Sequence, residues 1–131
     1  MSLVADMWWE ATRDLRLLVQ RCEQCGHRQH HPRSLCTHCG STDVGWVDAA
    51  GAGQLFSFTV VCRSASSHFD APYVLALVDL DEGVRMLTHI VDADPDTLRC
   101  DHPVRVRWVR HPDDADQERP RHLPCFAIKE Q

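Results

Sequence analysis

The spacing of apolar residues changes character along the chain. Near the N-terminus Trp8, Ala11 or Thr12, and Leu15 recur at helical intervals behind Asp6, a residue suited to capping, so the pattern predicts a helix over residues 5–16. Adjacent Trp8 and Trp9 point about 100° apart on a helix, so a single narrow core stripe cannot take both. Leu17, Leu18 and Val19 read as a strand. From residue 54 a period of two takes over and predicts strands at 54–62, 73–80, 84–91, 104–109 and 125–129. Asp81-Glu82-Gly83 is a tight turn joining the second and third of these as a hairpin. Residues 45–53, small apart from Trp46, read as a junction, and 92–99, around Pro95, hold one helical turn. Residues 111–124 are charged and aperiodic and contain Pro112, Pro120 and Pro124, the marks of a mobile loop.

Between the helix and the strands lies CEQCGHRQHHPRSLCTHCG, residues 22–40, which repeats one format: Cys22-x-x-Cys25-Gly26 and Cys36-x-x-Cys39-Gly40. A C-x-x-C turn brings two sulfurs to one ion, and four thiolates complete the tetrahedron that zinc prefers. The glycine after each pair suits a position where the chain turns back with positive φ. Disulfides would need an oxidising compartment, and the total of seven cysteines is odd. A redox C-x-x-C normally occurs once within a βαβ pattern, and this chain has two and no such pattern. A catalytic zinc keeps an open position, whereas here four cysteines fill the shell and His27, His30, His31 and His38 are left as loop residues. One structural zinc on Cys22, Cys25, Cys36 and Cys39 is the expectation, with no organic cofactor.

Composition narrows the rest. The 131 residues suit one domain or two small modules, divided here into a helix and ribbon over 1–46 and a barrel over 47–131. Five strands with one long apolar hairpin favour an OB-fold slightly over an SH3-like barrel. The opening residues do not read as a secretory signal and no stretch is apolar enough to span a membrane, which makes the cytoplasm the expected location. A net charge of −5 weighs against partners bound through many phosphates, while leaving room for a small phosphorylated ligand held by a few arginines.

Several segments carry a family resemblance: W-W-E, then L-L-V-Q-R-C-x-x-C-G, C-x-x-C-G-S, F-S-F-T-V-V, and P-Y-V-L-A-L-V-D-L-D-E-G-V-R. In this order they resemble the acyl-CoA-associated zinc-ribbon and OB-fold proteins known as domain of unknown function 35, from about Trp8 to Phe126. The resemblance implies a mainly β protein, with an N-terminal helix plus rubredoxin-like zinc ribbon followed by a five-stranded OB-fold barrel. It also implies a non-catalytic partner of acyl-CoA enzymes, either of thiolase fold (including steroid side-chain aldolases) or MaoC-like hydratases. Two departures stand out. Asp101 occupies a turn position where the family usually has glycine, and the loop 111–124 is long.

The chain shows no G-x-S-x-G elbow, Gly-rich phosphate loop or H-E-x-x-H, so no catalytic residue is assigned. Cys62, Cys100 and Cys125 lie in or beside apolar strands and read as buried, inert thiols. His89 fits a ligand-facing or an exposed sheet position equally well. Arg105 and Arg107 share a strand face and, with Arg63 or Arg85, are candidates for the phosphates of coenzyme A, against the plainer reading of a solvated face. A small module with two tryptophans has little interior in which to hide both, which nominates Trp8 and Trp9 for a partner interface, with the hairpin around 79–85 second. Together these readings give an accessory subunit that binds an acyl-CoA enzyme, in lipid or steroid side-chain metabolism, and helps form or shield its acyl-CoA channel. The alternative is a single-stranded nucleic-acid-binding module, which the negative charge and the aromatic share of 7% disfavour.

Overall fold

The computed structural model describes residues 3–62, 73–112, 114, 116 and 118–129. Helix α1 (Leu3–Thr12) leads into a three-stranded antiparallel sheet of β1 (Leu18–Cys22), β2 (Arg28–Gln29) and β3 (Val44–Asp48), ordered β2-β1-β3. A closed barrel follows, made of β4 (Ala52–Val61), β5 (Tyr73–Leu80), β6 (Arg85–Ile90), β7 (Pro103–Arg110) and β8 (His122–Ile128) in the order β4-β5-β6-β8-β7. Antiparallel pairing of β4 with β7 and a short parallel contact at Ile90 and Phe126 leave the barrel without a free edge. A 3-10 turn at Pro95–Thr97 sits between β6 and β7, capped by the Asp94 carboxylate, which accepts from the Asp96 N–H.

The strands alternate as their sequence requires. Along β5 every second residue (Val74, Ala76, Val78, Leu80) is buried, and β6 answers with Met86, Thr88 and Ile90. Leu55, Val78, Val104 and Phe126 have no exposed surface, and each buried apolar side chain of this size contributes about 1.5–3 kcal/mol. β4 crosses β5 so closely at Gly53 that a Cβ there would lie 2.3 Å from the Asp79 carbonyl oxygen, so only glycine fits. Two residues later a bulge between Leu55 and Ser57 turns Phe56 outward, where the Arg85 guanidinium covers its ring at 3.5 Å.

The ribbon and the barrel share one core: Trp8, Leu17, Leu18 and Val19 belong to the same apolar cluster as Leu55, Val104 and Phe126. Thr12, fully buried at the end of α1, donates to the Trp9 carbonyl and accepts from the N–H of His122, joining the helix to the start of β8. Glu82, in the β5–β6 turn, accepts from the Ala50 N–H through its carboxylate, while its carbonyl accepts from Arg28 of the ribbon. Arg13 and Arg121 converge on the nearly buried carboxylate of Asp114, and Arg119 pairs with Asp14.

Several elements differ from the sequence expectation for identifiable reasons. The helix stops at Thr12 rather than 16, because Leu15 takes a left-handed conformation (φ 58°) and the Arg16 N–H returns to the Ala11 carbonyl, closing the helix end. Leu15 is therefore exposed and not part of a core stripe. The supposed junction 45–53 is largely strand: residues 45–48 belong to β3, paired with β1, and Ala52 and Gly53 open β4. The segment expected as a mobile loop gives way to β8 at His122, and its described residues are tied to α1 through Asp114 and Arg119. Cys62 and Cys100 are exposed, at the end of β4 and in the turn before β7, and only Cys125 of the three is buried. Asp101 adopts the glycine-like conformation itself (φ 68°), which aspartate tolerates better than most residues, and its N–H bonds the Leu55 carbonyl.

Backbone N–H groups of Arg121 and Asp116, then the Arg121 side chain, hold the Asp114 carboxyl well below the usual carboxylate range. A depressed native pKa contributes stability that is present above the unfolded value and lost as pH falls through the native one. Asp114→Asn is expected to lower Tm at pH 7, and the gap to the parent should start to shrink below about pH 5 and keep shrinking as the pH falls toward the depressed native value, as read from thermal melts.

Candidate metal centre and flanking cleft

The two cysteine turns are built alike. In the first, the N–H groups of Gln24 and Cys25 point at the Cys22 sulfur, each at 3.4 Å, and the Gly26 N–H closes on the Cys22 carbonyl at 2.9 Å. In the second, the N–H groups of His38 and Cys39 point at the Cys36 sulfur, at 3.3 and 3.4 Å, and the Gly40 N–H closes on the Cys36 carbonyl at 2.9 Å. Gly26 and Gly40 take φ of 77° and 79°, the conformation their sequence positions called for.

The four sulfurs lie within 4.8 Å of one another, with Cys22 and Cys39 3.6 Å apart and Cys25 and Cys36 3.7 Å apart. Neither separation is a disulfide, whose sulfurs sit at about 2.05 Å. Four sulfurs held at about 2.3 Å from a central zinc would stand about 3.8 Å from one another, so the set fits that ion. Its protonation chemistry agrees. The Cys39 and His38 N–H groups draw the Cys36 thiol down to about 6, and those of Cys25 and Gln24 lower Cys22. Cys25 also accepts from the His27 backbone, yet burial and the three neighbouring sulfurs push it up to about 12. Against the Ser41 N–H, the Cys22 sulfur and burial raise Cys39. Four thiolates this close repel, and a divalent cation removes the conflict. Zinc on these four residues would have a closed shell and serve to hold the ribbon together.

Two residues that the sequence did not single out complete the ribbon. Gln20 and Gln29 are buried opposite one another on β1 and β2, and the Gln29 amide donates to the Gln20 carbonyl at 2.8 Å. Gln20 also accepts from the Arg33 N–H and donates to the Arg33 carbonyl, while Gln29 accepts from the N–H and hydroxyl of Thr37. This network fixes the stretch between the knuckles. Polar residues in period-two positions of a short strand were the only signal for it.

The arginines do not converge. Arg85 lies on β6 in a two-pronged pair with Asp79, at 2.7 and 3.2 Å, and β6 is not a barrel neighbour of β7. Arg105 and Arg107 do share an exposed face of β7, beside Lys129, although Arg107 is 3.2 Å from Asp92. Arg63 lies outside the described residues. Trp8 is only 6% exposed and its indole N–H donates to the Leu18 carbonyl, so the premise of an unhidden indole does not hold for it. Trp9 is half-buried, edge-on to both Trp8 and His111, with Arg121 near its face.

A cleft of about 350 Å³ opens between α1, residues 30–32 and strands β6 and β8. Both tryptophans, His30, Leu87 and His89 line it. His89 stands on the outer face of β6, its ring stacked on Tyr73 at 5.1 Å.

A helix and four-cysteine ribbon seated on a closed five-stranded barrel define a zinc-ribbon/OB-fold protein. The family described as "ChsH2, rubredoxin-like zinc ribbon domain" matches residues 9–45, and "ChsH2, C-terminal OB-fold domain" matches residues 46–109. The chain belongs to this ChsH2-type, DUF35 family of zinc-ribbon/OB-fold proteins. It is 41% identical over 119 residues to a "Probable enoyl-CoA hydratase alpha subunit" of Thermomonospora curvata, covering 91% of this chain and 35% of the relative. To the "3-oxo-4,17-pregnadiene-20-carboxyl-CoA hydratase alpha subunit" of Mycobacterium tuberculosis it is 33% identical, covering 81% of this chain and 34% of that protein. It therefore spans about a third of the length of these two relatives. A "DUF35 domain-containing scaffold protein" of Methanocaldococcus jannaschii is 29% identical, covering 88% of this chain and 83% of the relative. A solved structure described as "Ltp2-ChsH2(DUF35) aldolase" superposes with a TM-score of 0.84 at 38% identity, covering 98% of this chain and 96% of that one.

Purified chain is expected to carry one zinc, measured by elemental analysis. Cys36→Ala should release it and unfold the ribbon, whereas Cys100→Ala should retain it. Gln29→Leu, which strands the Gln20 and Thr37 groups, should lower stability by about 1–3 kcal/mol with the zinc kept.

Proposed function

We propose that this chain is a non-catalytic accessory module that binds an acyl-CoA enzyme and helps form or shield its acyl-CoA channel. The observation that carries the reading is the near-complete, 38% identical match to a chain of the Ltp2-ChsH2(DUF35) aldolase, supported by the scaffold and hydratase-subunit names of other relatives. The partner is an aldolase or other enzyme of thiolase fold, or a MaoC-like hydratase. Zinc on Cys22, Cys25, Cys36 and Cys39 maintains the ribbon and takes no part in chemistry.

The partner surface runs over the exposed side of α1 and the ribbon, with Trp9 as its aromatic anchor and the β5–β6 hairpin beside it. Trp8 supports that surface from beneath. If coenzyme A reaches the barrel, the exposed face of Arg105 and Arg107 with Lys129 supplies its phosphate contacts. Arg85 is a weaker choice, since it would have to leave Asp79 and the Phe56 ring.

Two measurements test the proposal. The pure chain is expected to show no thiolase, aldolase or hydratase turnover, and activity that survives replacement of Cys62, Cys100 and Cys125 would overturn it. Trp9→Ala, with zinc content and folding verified, is expected to weaken association with the co-purifying enzyme by about tenfold or more, roughly 1.4 kcal/mol. Unchanged binding would remove the helix from the interface.

A further inference from the structure

The cleft between ribbon and barrel has features that the accessory role does not require. Its walls come from α1, residues 30–32, β6 and β8, so it is concave, and its 350 Å³ falls within the range of about 300–1,000 Å³ typical of small-molecule sites. Ala5 and the two tryptophans form one side, and Met86, Leu87 and Leu123 contribute apolar surface across it. Among the described residues, no carboxylate, ammonium or guanidinium lines it. The Thr88 hydroxyl is already committed to the Pro124 carbonyl at 2.7 Å, and burial pushes the Cys125 thiol up to about 11, so neither brings charge to the wall. An ionised headgroup would find none of those charged groups among the described lining residues to replace its hydration.

Three imidazoles remain: His31 is exposed and the His89 ring is stacked on Tyr73, while His30 is half-buried beside Trp8. The His30 ring lies 5.8 Å from that of Trp8 and is stacked on His31 at 4.6 Å. None of the described residues hydrogen-bonds its ring nitrogens. Burial, with the neighbouring His31, brings it down to about 4, so at neutral pH it is an uncharged imidazole offering one donor and one acceptor. Leu87, 54% exposed, adds a large apolar surface that an occupant would cover.

We propose that this cleft is a ligand site for an uncharged apolar group of about a dozen heavy atoms, at about 30 Å³ each, bearing one hydroxyl or carbonyl oxygen that His30 engages. A charged group would meet no carboxylate, ammonium or guanidinium among the described lining residues, and a purely hydrocarbon one would leave the His30 imidazole unpaired. Identifying the occupant as the far end of an acyl thioester rests on the accessory reading above. The preference for neutral, apolar matter with one oxygen rests on the cleft alone.

The test uses the full chain with 1-decanol and decanoate as probes, followed by tryptophan fluorescence, to which Trp8 and Trp9 in the cleft wall contribute, and by calorimetry. Saturable binding of one decanol per chain is expected, with decanoate weaker by about tenfold or more. Leu87→Asp, at an exposed position, should weaken decanol by about tenfold with zinc content and Tm unchanged, and Arg105→Glu should leave it unaffected. His30→Phe should abolish the preference for decanol over 1-chlorodecane, which fills the space but offers no hydroxyl. No saturable decanol binding up to its solubility limit would overturn the proposal, as would binding untouched by Leu87→Asp. If decanol fails to bind and Leu87→Asp instead releases the co-purifying enzyme, the cleft seats a protein side chain and the proposal is wrong. Decanol binding to a chain that associates with no acyl-CoA enzyme would sustain the site and remove the accessory reading.

Discussion

Four sulfurs within 4.8 Å of one another are the constraint on which the ribbon depends. Backbone N–H groups lower the Cys22 and Cys36 thiols while neighbouring sulfurs and burial raise Cys25 and Cys39, a conflict that a bound divalent cation would remove. The sheet attached to it is small: β2 has two residues, and β1 and β3 have five each. A module of that size has little core of its own, so a bound metal would contribute much of its folding energy, on the order of 10 kcal/mol in isolated zinc modules.

The metal centre does not act alone, because the ribbon is sewn to the barrel. Trp8 and the β1 residues Leu18 and Val19 enter the same apolar cluster as Phe126, and Thr12, Arg28 and Asp114 cross the boundary with hydrogen bonds or ion pairs. Rigid docking of two modules explains how a helix tryptophan, a ribbon histidine and barrel strands come to line one cleft. It also suits the accessory role proposed above. A surface presented to a partner enzyme keeps its shape when the elements behind it share a core.

Much was legible in the chain beforehand. Thiol spacing names a metal site because ligand geometry is local: each C-x-x-C-Gly turn carries its own sulfurs, N–H donors and glycine within a few residues. Period-two alternation names the barrel strands for the same reason, and residues 73–80 emerge as β5 without a shift. The helix end, the presence of β3 in the first part of the supposed junction and the exposure of Cys62 and Cys100 were not readable. Each is settled by what the neighbouring element does: Leu15 turns the chain, β1 recruits β3, and the barrel leaves the two thiols outside its wall.

Long-range placement was decided by the tertiary structure alone. Arg85, Arg105 and Arg107 look interchangeable along the sequence, yet Asp79 occupies the first, while the other two share a face on a strand not paired with β6. Trp8 and Trp9 are neighbours with opposite fates, because the helix points one indole at the Leu18 carbonyl and leaves the other at the rim. Gln20 and Gln29 are unremarkable polar residues until strand pairing buries them face to face. Local ligand spacing and side-chain period travel with the chain, so the sequence determined the metal set and the strands. Which charges find partners, which aromatics are covered and where a cleft opens depend on contacts between residues far apart in sequence, and only the folded chain brings those together.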